Sequence, residues 1–289
     1  MKNKIILGSA NFDQSYGIKK NFIKKTQINK ILNFAKKNKI KIIDTSPTYN
    51  KSEKIIGLKN NNRFRIISKI PKTPKNIKKK DIHKWLKKSI LTSLKNLKIK
   101  KFECLLLHDP NVLLGKNGEE IYNNLKKIKS NGFTKKIGIS IYDFNKLNKI
   151  LKNFKLDLIQ APFNIFDRRL TESGWLKKLK KRKIEVHARS IFLQGILLLK
   201  YNQLPKNLKR FKNIWEKWEI WLKSNKLNSL QACITFVFQE NQIDGVVVGY
   251  NNKSQLYQIL KLQGQKNSFQ LAKLRIKSKK LIDPRKWIN

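Results

Sequence analysis

The stretch KIIDTSPTYNKSEKIIG, residues 41–57, poses the question that decides the fold. A short β-branched run stops on an acid, Asp44, in a chain that carries 66 Lys and Arg against 18 Asp and Glu. Tyr49 follows, and Glu53 opens a helical pattern. Other brief apolar runs repeat the scheme: IIL at 5–7, RIISKI at 65–70, ECLLLH at 103–108, KIGISI at 136–141, LDLIQA at 156–161, IEVHARS at 184–190 and GVVVGY at 245–250. Runs this short and this rich in branched residues are expected of parallel strands buried on both faces.

Helical patterns lie between them. TQINKILNFAKKNK sets Ile28, Ile31, Leu32 and Ala35 on one stripe with lysines opposite. DIHKWLKKSILTSLKNL, GEEIYNNLKKIKSNG, LTESGWLKKLKKRK and LQACITFVFQEN supply further helices, with Asn117-Gly118 and Asn131-Gly132 as start and stop signals. Eight strands alternating with helices predict an α/β fold, a single (β/α)8 TIM barrel spanning residues 1–289 as one domain. A doubly wound sheet is the alternative. Its first turn usually reads GxGxxG, whereas this chain has GSANFDQ. Residues 191–228, after the seventh strand, are expected to form an extended loop and helix on the rim.

Composition narrows the class. The 40% hydrophobic content, with 15 Phe and 6 Trp, is enough for a full core. No run of 18 apolar residues exists, so no membrane span is expected, and the short apolar N-terminus reads as a strand of a cytoplasmic protein. Cys104 and Cys233 lie in apolar runs without metal-ligand spacing and read as buried thiols, so no metal is expected. The net charge of +48 is spread as Lys along the whole chain. It predicts salt-sensitive attraction to polyanions, but no zinc-finger or aromatic RNA-binding signature accompanies it, so no specific nucleic-acid partner is expected.

A barrel carries its chemistry at the C-terminal ends of its strands. Those ends read Asp44, Lys69, His108, Ser140, Gln160 and Arg189-Ser190. Each alone has a bland reading. Asp44 could cap a turn, Lys69 could be one solvated lysine among many, and Tyr49 could be a loop aromatic. His83, in a Lys-rich helix, reads as a surface residue, and His187, mid-strand, as a packed one. Together the strand-end groups have a chemical logic. A phenol with an ordinary pKa of ~10 becomes a better acid beside an ammonium, which a carboxylate orients, while a His shares the bond to a carbonyl oxygen.

DTSPTYNKSEKIIG resembles the Asp-Thr-Ala-x-x-Tyr-Gly-x-Ser-Glu-x-x-Leu-Gly signature of the aldo-keto reductase family. The resemblance continues through SLKNLKIKKFECLLLH, KIGISIYDFNKL, LIQAPFNIFDRR and VVVGYNNKSQL, in the family's order, over roughly residues 4–260. It implies Tyr49 as general acid, Lys69 lowering its pKa, Asp44 paired with Lys69, and His108 orienting a carbonyl. It also implies NADP(H), or NAD(H) as the alternative, across the barrel mouth. Ser140 and Gln160 fall where the family holds the nicotinamide carboxamide. Ser190, Phe192 and Gln194 fall at the pyrophosphate, and Gly249, Asn251, Lys253 and Gln255 at the adenosine side.

The chain departs from the family at Ile141, where Asn is frequent, and at Arg189, where an aromatic often stacks on nicotinamide. Gln255 stands where many members have an Arg. The implied partner is a small-molecule carbonyl compound, and Arg189 with nearby Trp residues is compatible with an anionic or sugar-like one. Two other classes stay open at this point: a nucleotide-binding barrel acting as sensor or partner subunit, and a basic polyanion-binding protein. Oligomeric state is not readable.

Overall fold

The computed structural model describes residues 3–287 apart from 13, 16, 19–21, 61–63, 266–273, 275 and 277. Eight strands, β1 (Ile5–Gly8), β2 (Ile42–Asp44), β3 (Arg65–Ile70), β4 (Cys104–Leu107), β5 (Ile137–Ser140), β6 (Leu158–Pro162), β7 (Glu185–Arg189) and β8 (Gly245–Val248), pair in parallel and in chain order. The ring closes through β1 and β8, with Ile6 opposite Val247. Closure leaves no strand edge exposed. The sequence-predicted strands match these within two residues.

Helices α1 (Lys25–Lys37), α2 (Ser52–Asn60), α3 (Ile82–Leu97), α4 (Gly118–Ser130), α5 (Leu147–Asn153), α6 (Arg169–Glu172), α7 (Trp175–Lys181), α8 (Lys212–Ser224), α9 (Ser229–Phe238), α10 (Lys253–Leu262) and α11 (Lys279–Ile282) surround the ring or follow it. The stripe Ile28, Ile31, Leu32 and Ala35 of α1 is buried as its spacing requires. LTESGWLKKLKKRK reads as one helix but folds as two, α6 and α7. Gly174 at φ 75° breaks it between them, a conformation that glycine alone adopts at little cost. Gly57 on α2 marks a close helix contact. A Cβ there would lie 2.0 Å from the Asn96 carbonyl oxygen of α3.

The insertion after β7 runs as 3-10 turns and then α8. Trp215, Trp218 and Trp221 share the buried face of α8, and Phe166 meets Trp215 and Trp218 edge-on at 5.7 and 5.6 Å. These rings anchor the insertion to the loop after β6. No Trp lines the cavity described below, so the tryptophans serve packing and not substrate recognition.

Strand alternation decides what the lumen holds. Ile6, Ile67, Cys104, Leu106 and Leu158 form an inner cluster, joined by Ile42 and Val247. Their strand neighbours Leu7, Ile66, Leu105, Leu107 and Ile159 pack outward on the helices. Side chains alternate with period two. Asp44 therefore follows Ile42 inward, Lys69 follows Ile67, His108 follows Leu106, and Gln160 follows Leu158. The apolar plug carries four ionisable or amide groups directly above it.

Candidate active site

Lys69 and Asp44 are the floor of the mouth. The Lys69 ammonium donates to Asp44 Oδ1 at 2.6 Å and to the Thr45 carbonyl at 2.9 Å. Both residues are buried, at 3% and 4% exposure. Gln160 Nε2 donates to the other oxygen, Asp44 Oδ2, at 2.8 Å. Both carboxylate oxygens are therefore satisfied, as a buried charge requires.

Tyr49 comes from the loop after β2. Its amide donates to Ser46 and its carbonyl accepts from Ser52, the first residue of α2. This tight turn, with Asn50 at φ 41°, returns the ring over the barrel mouth. Lys69 Nζ lies 5.2 Å from the ring centre. Burial pushes the phenol above its ordinary pKa, while Lys69 and then Arg189 pull it back and Asp44 raises it. A net lowering by Lys69 is expected from the sequence, but here desolvation is the larger effect. The phenol is held protonated at neutral pH, and the ammonium is placed to stabilise the phenolate once the proton leaves.

Burial alone would lower the Lys69 pKa, but Asp44 and then Tyr49 outweigh it and raise it. The lysine is a permanent cation. His108 follows β4 by one residue. Burial, then Lys69 and Arg189, push its imidazole down to about 4. It is neutral at physiological pH and can share a hydrogen bond without carrying charge.

A cavity of about 350 Å³ opens above these four residues. Ser140, Gln160, Arg189, Ser190, Phe192, Gln194, Gly249, Asn251 and Gln255 also line it. Lys253 does not. Its ammonium lies 5.6 Å from the centre of the Phe34 ring on α1, beside the first turn of α10. The Gln255 amide oxygen accepts from the Asn251 N–H, which fixes the turn into α10. Among the described lining residues Asp44 is the one carboxylate.

Arg189 does not project freely into the cavity. Its Nη2 donates to the Ile141 carbonyl at 2.7 Å, its Nη1 to Ser190 Oγ at 3.0 Å and its Nε to Ser140 Oγ at 3.3 Å. Its guanidinium lies 4.1 Å from the centre of the Tyr142 ring. Ser140 Oγ in turn donates to Gln160 Oε1 at 3.3 Å. One network thus links Arg189, Ser140, Gln160, Asp44 and Lys69.

The segment after β7 is strained. Ser190, Leu193 and Gln194 have φ of 57°, 46° and 53°. Such left-handed conformations cost on the order of 1–3 kcal/mol each and concentrate at ligand clamps. Gln194 O also accepts from the Ile18 N–H at 3.1 Å, tying this segment to the loop after β1 across the mouth. Residues 13, 16 and 19–21 of that loop lie outside the described set.

Sequence reasoning missed Tyr142 and Arg285. The Arg285 guanidinium lies 4.0 Å from the centre of the Tyr142 ring. Tyr142 had a signal, since it stands two residues past Ser140 at a strand end. Arg285 had none, because it sits in a C-terminal turn far from every strand. His83 is exposed, and His187 is packed in the lumen against Glu185, as their contexts suggest. Cys104 and Cys233 are buried. Among the described residues no cluster of three His, Cys, Asp or Glu could hold a metal, and no helix is long and apolar enough to cross a membrane.

The sequence model of the aldo/keto reductase family matches residues 4–276. No curated protein matches the sequence at a significant level. Solved structures with the same fold include an aldo-keto reductase from Bacillus halodurans in its holo form, with TM-score 0.75 and 17% identity, covering 98% of this chain and 95% of that one. Another is a glycerol dehydrogenase from Gluconobacter oxydans, with TM-score 0.70 and 18% identity, covering 94% and 89%.

Proposed function

As the chain belongs to the aldo/keto reductase family, whose members are oxidoreductases using nicotinamide cofactors, we propose that it reduces an aldehyde or ketone with Tyr49 as proton donor. The observation that carries this reading is the buried Lys69–Asp44 pair beneath the Tyr49 ring, beside a neutral His108. Of the two groups that could give a proton to a carbonyl oxygen, the imidazole is already deprotonated at neutral pH and the phenol is not.

The residues at the mouth fit a nicotinamide dinucleotide. The donor set has the amide of Gln160 and the hydroxyls of Ser140 and Ser190, with a strained backbone segment beside them. Ser140 and Gln160 would hold the carboxamide, Ser190, Phe192 and Gln194 the pyrophosphate, and Gly249, Asn251 and Gln255 the adenosine side. When bound, the reduced cofactor supplies hydride to the carbonyl carbon. Tyr49 gives its proton to the carbonyl oxygen, Lys69 stabilises the phenolate, and Asp44 with Gln160 fixes the ammonium. His108 orients the carbonyl through a neutral hydrogen bond.

NADPH is the favoured form in this proposal. Among the described lining residues no carboxylate faces the adenosine end, where one would bind ribose hydroxyls and repel a 2′-phosphate. The first turn of α10 and the overall charge of +48 both attract phosphate. Lys253 is near this turn but points toward Phe34, so it acts at a distance. The test is fluorescence titration with NADPH, followed by NADPH oxidation against a panel of aldehydes, ketones and sugar derivatives. Binding with turnover of at least one carbonyl supports the reading, and the absence of both overturns it.

A further inference from the structure

A second cavity, of about 340 Å³, opens on the other side of His108. It shares His108, Ser140 and Tyr142 with the first, so the two cavities share a wall beside the proposed carbonyl position. The first is accounted for by the proposed cofactor. The second has no assigned occupant.

Its wall carries three cations, Lys72, Lys146 and Arg285, and two acids, Asp109 and Asp143. The acids are committed to backbone turns. Asp109 accepts from the Asn111 N–H at 3.1 Å and from its side chain at 2.9 Å, and Asp143 accepts from the Asn145 N–H at 3.1 Å. Lys72 and Lys146 have no ion-pair partner among the described residues. Arg285 is held in place by Asp283, through Nε at 2.9 Å and Nη2 at 2.6 Å. That bond spends one edge of the guanidinium and leaves Nη1 without an acid among the described residues.

Tyr142 forms the partition. Arg285 and Arg189 lie 4.0 and 4.1 Å from its ring centre. Both cations hold the ring by cation–π attraction. The partition also orders the two cations by use. Arg189 is spent on Ser140, Ser190 and Ile141, whereas Lys72, Lys146 and the free edge of Arg285 remain for a ligand.

We propose that the second cavity receives the tail of the substrate, and that this tail is an anion, a carboxylate or a phosphate, met by Lys72, Lys146 and Arg285. The carbonyl then lies at Tyr49 and His108 with the charged group beyond Tyr142. This rests on the carbonyl-reductase reading of the same mouth.

The test compares matched pairs of carbonyl compounds with NADPH: succinic semialdehyde against butanal, and glyceraldehyde 3-phosphate against glyceraldehyde. The first pair reports a carboxylate and the second a phosphate. The wild type is expected to favour at least one anionic member by tenfold or more in kcat/KM. K72A/K146A is expected to lose about tenfold of that through KM, since charge-assisted bonds are being removed. The uncharged partners are expected to change less than twofold. K41A/K100A/K101A removes three charges at the opposite end of β2 and β4, all exposed, and is expected to retain the preference. Equal turnover of charged and neutral partners overturns the inference and leaves carbonyl reduction standing. An equal loss in the opposite-end variant also overturns it, by showing that the long-range field alone is at work. If no carbonyl is reduced and NADPH does not bind, the reading of the mouth falls and this inference with it.

Discussion

Lys69→Met removes the cation at the floor of the site while keeping the side chain's length. The Lys69 and Asp44 side chains are 2% and 6% exposed. Without the ammonium, Asp44 keeps its bond from Gln160 but loses the one counter-charge that the described residues place within hydrogen-bonding distance. Stranding a buried charge in this way costs about 3–5 kcal/mol. At roughly 2 °C per kcal/mol for a chain of this size, the melting temperature is expected to fall by about 6–10 °C. The double variant D44N/K69M removes both charges and should recover much of that loss, because a neutral amide is left facing Gln160. Neither variant should reduce carbonyls well, since the phenolate left by Tyr49 has no cation beneath it. Thermal melts at one scan rate, with NADPH-oxidation assays of the same samples, check both halves. A Lys69→Met protein as stable as wild type, or a double variant no more stable than the single one, would refute the argument that this pair is a charge-compensated core.

His108 has a folded pKa of about 4, depressed below its ordinary value of 6.5. The unfolded chain therefore binds the extra proton first, and stability falls as pH drops from about 6.5 toward 4. His108→Asn should flatten that slope in a series of melts, and an unchanged slope would reject the assignment. The kcat/KM ratio of NADPH to NADH should exceed one and shrink as salt rises, because much of the attraction is long-range and screened. Lys253→Ala should lower the ratio further, and an NADH preference or a ratio indifferent to salt would count against the proposal. Gly57→Ala should destabilise the α2–α3 contact by more than 1 kcal/mol, because its Cβ would meet the Asn96 carbonyl at 2.0 Å. A melting temperature equal to wild type would show that the helices part without cost.

The barrel was legible because its strands are unbroken branched runs that end on polar residues. Period-two alternation then sends Asp44, Lys69, His108 and Gln160 into one mouth with no further information. The loop residue Tyr49 was legible only through its spacing from Asp44, which the family resemblance interprets. Less was readable where conformation depends on distant partners. Arg189 could be seen to replace an aromatic, but its capture by Ile141, Ser140 and Ser190 depends on the register of β5 against β6 and β7. Lys253 looked like a cavity residue from its place in GYNNKSQL, yet the start of α10 turns it toward Phe34. The pairing of Arg285 with Tyr142 joins a C-terminal turn to the end of β5 over 143 positions, and no local pattern announces it. The net elevation of the Tyr49 pKa was also hidden, because burial of a loop residue is a tertiary property.

Tyr49→Phe is the most direct test of the central claim, because it deletes one hydroxyl and leaves Lys69, Asp44 and His108 in place. The two quantities to measure are kcat for reduction of the best carbonyl substrate and the Kd for NADPH by fluorescence. The account predicts that kcat falls by about 10²–10⁴-fold, the usual contribution of a positioned acid, while Kd stays within about twofold. Turnover near that of the wild type would contradict it and show that a group other than Tyr49 delivers the proton.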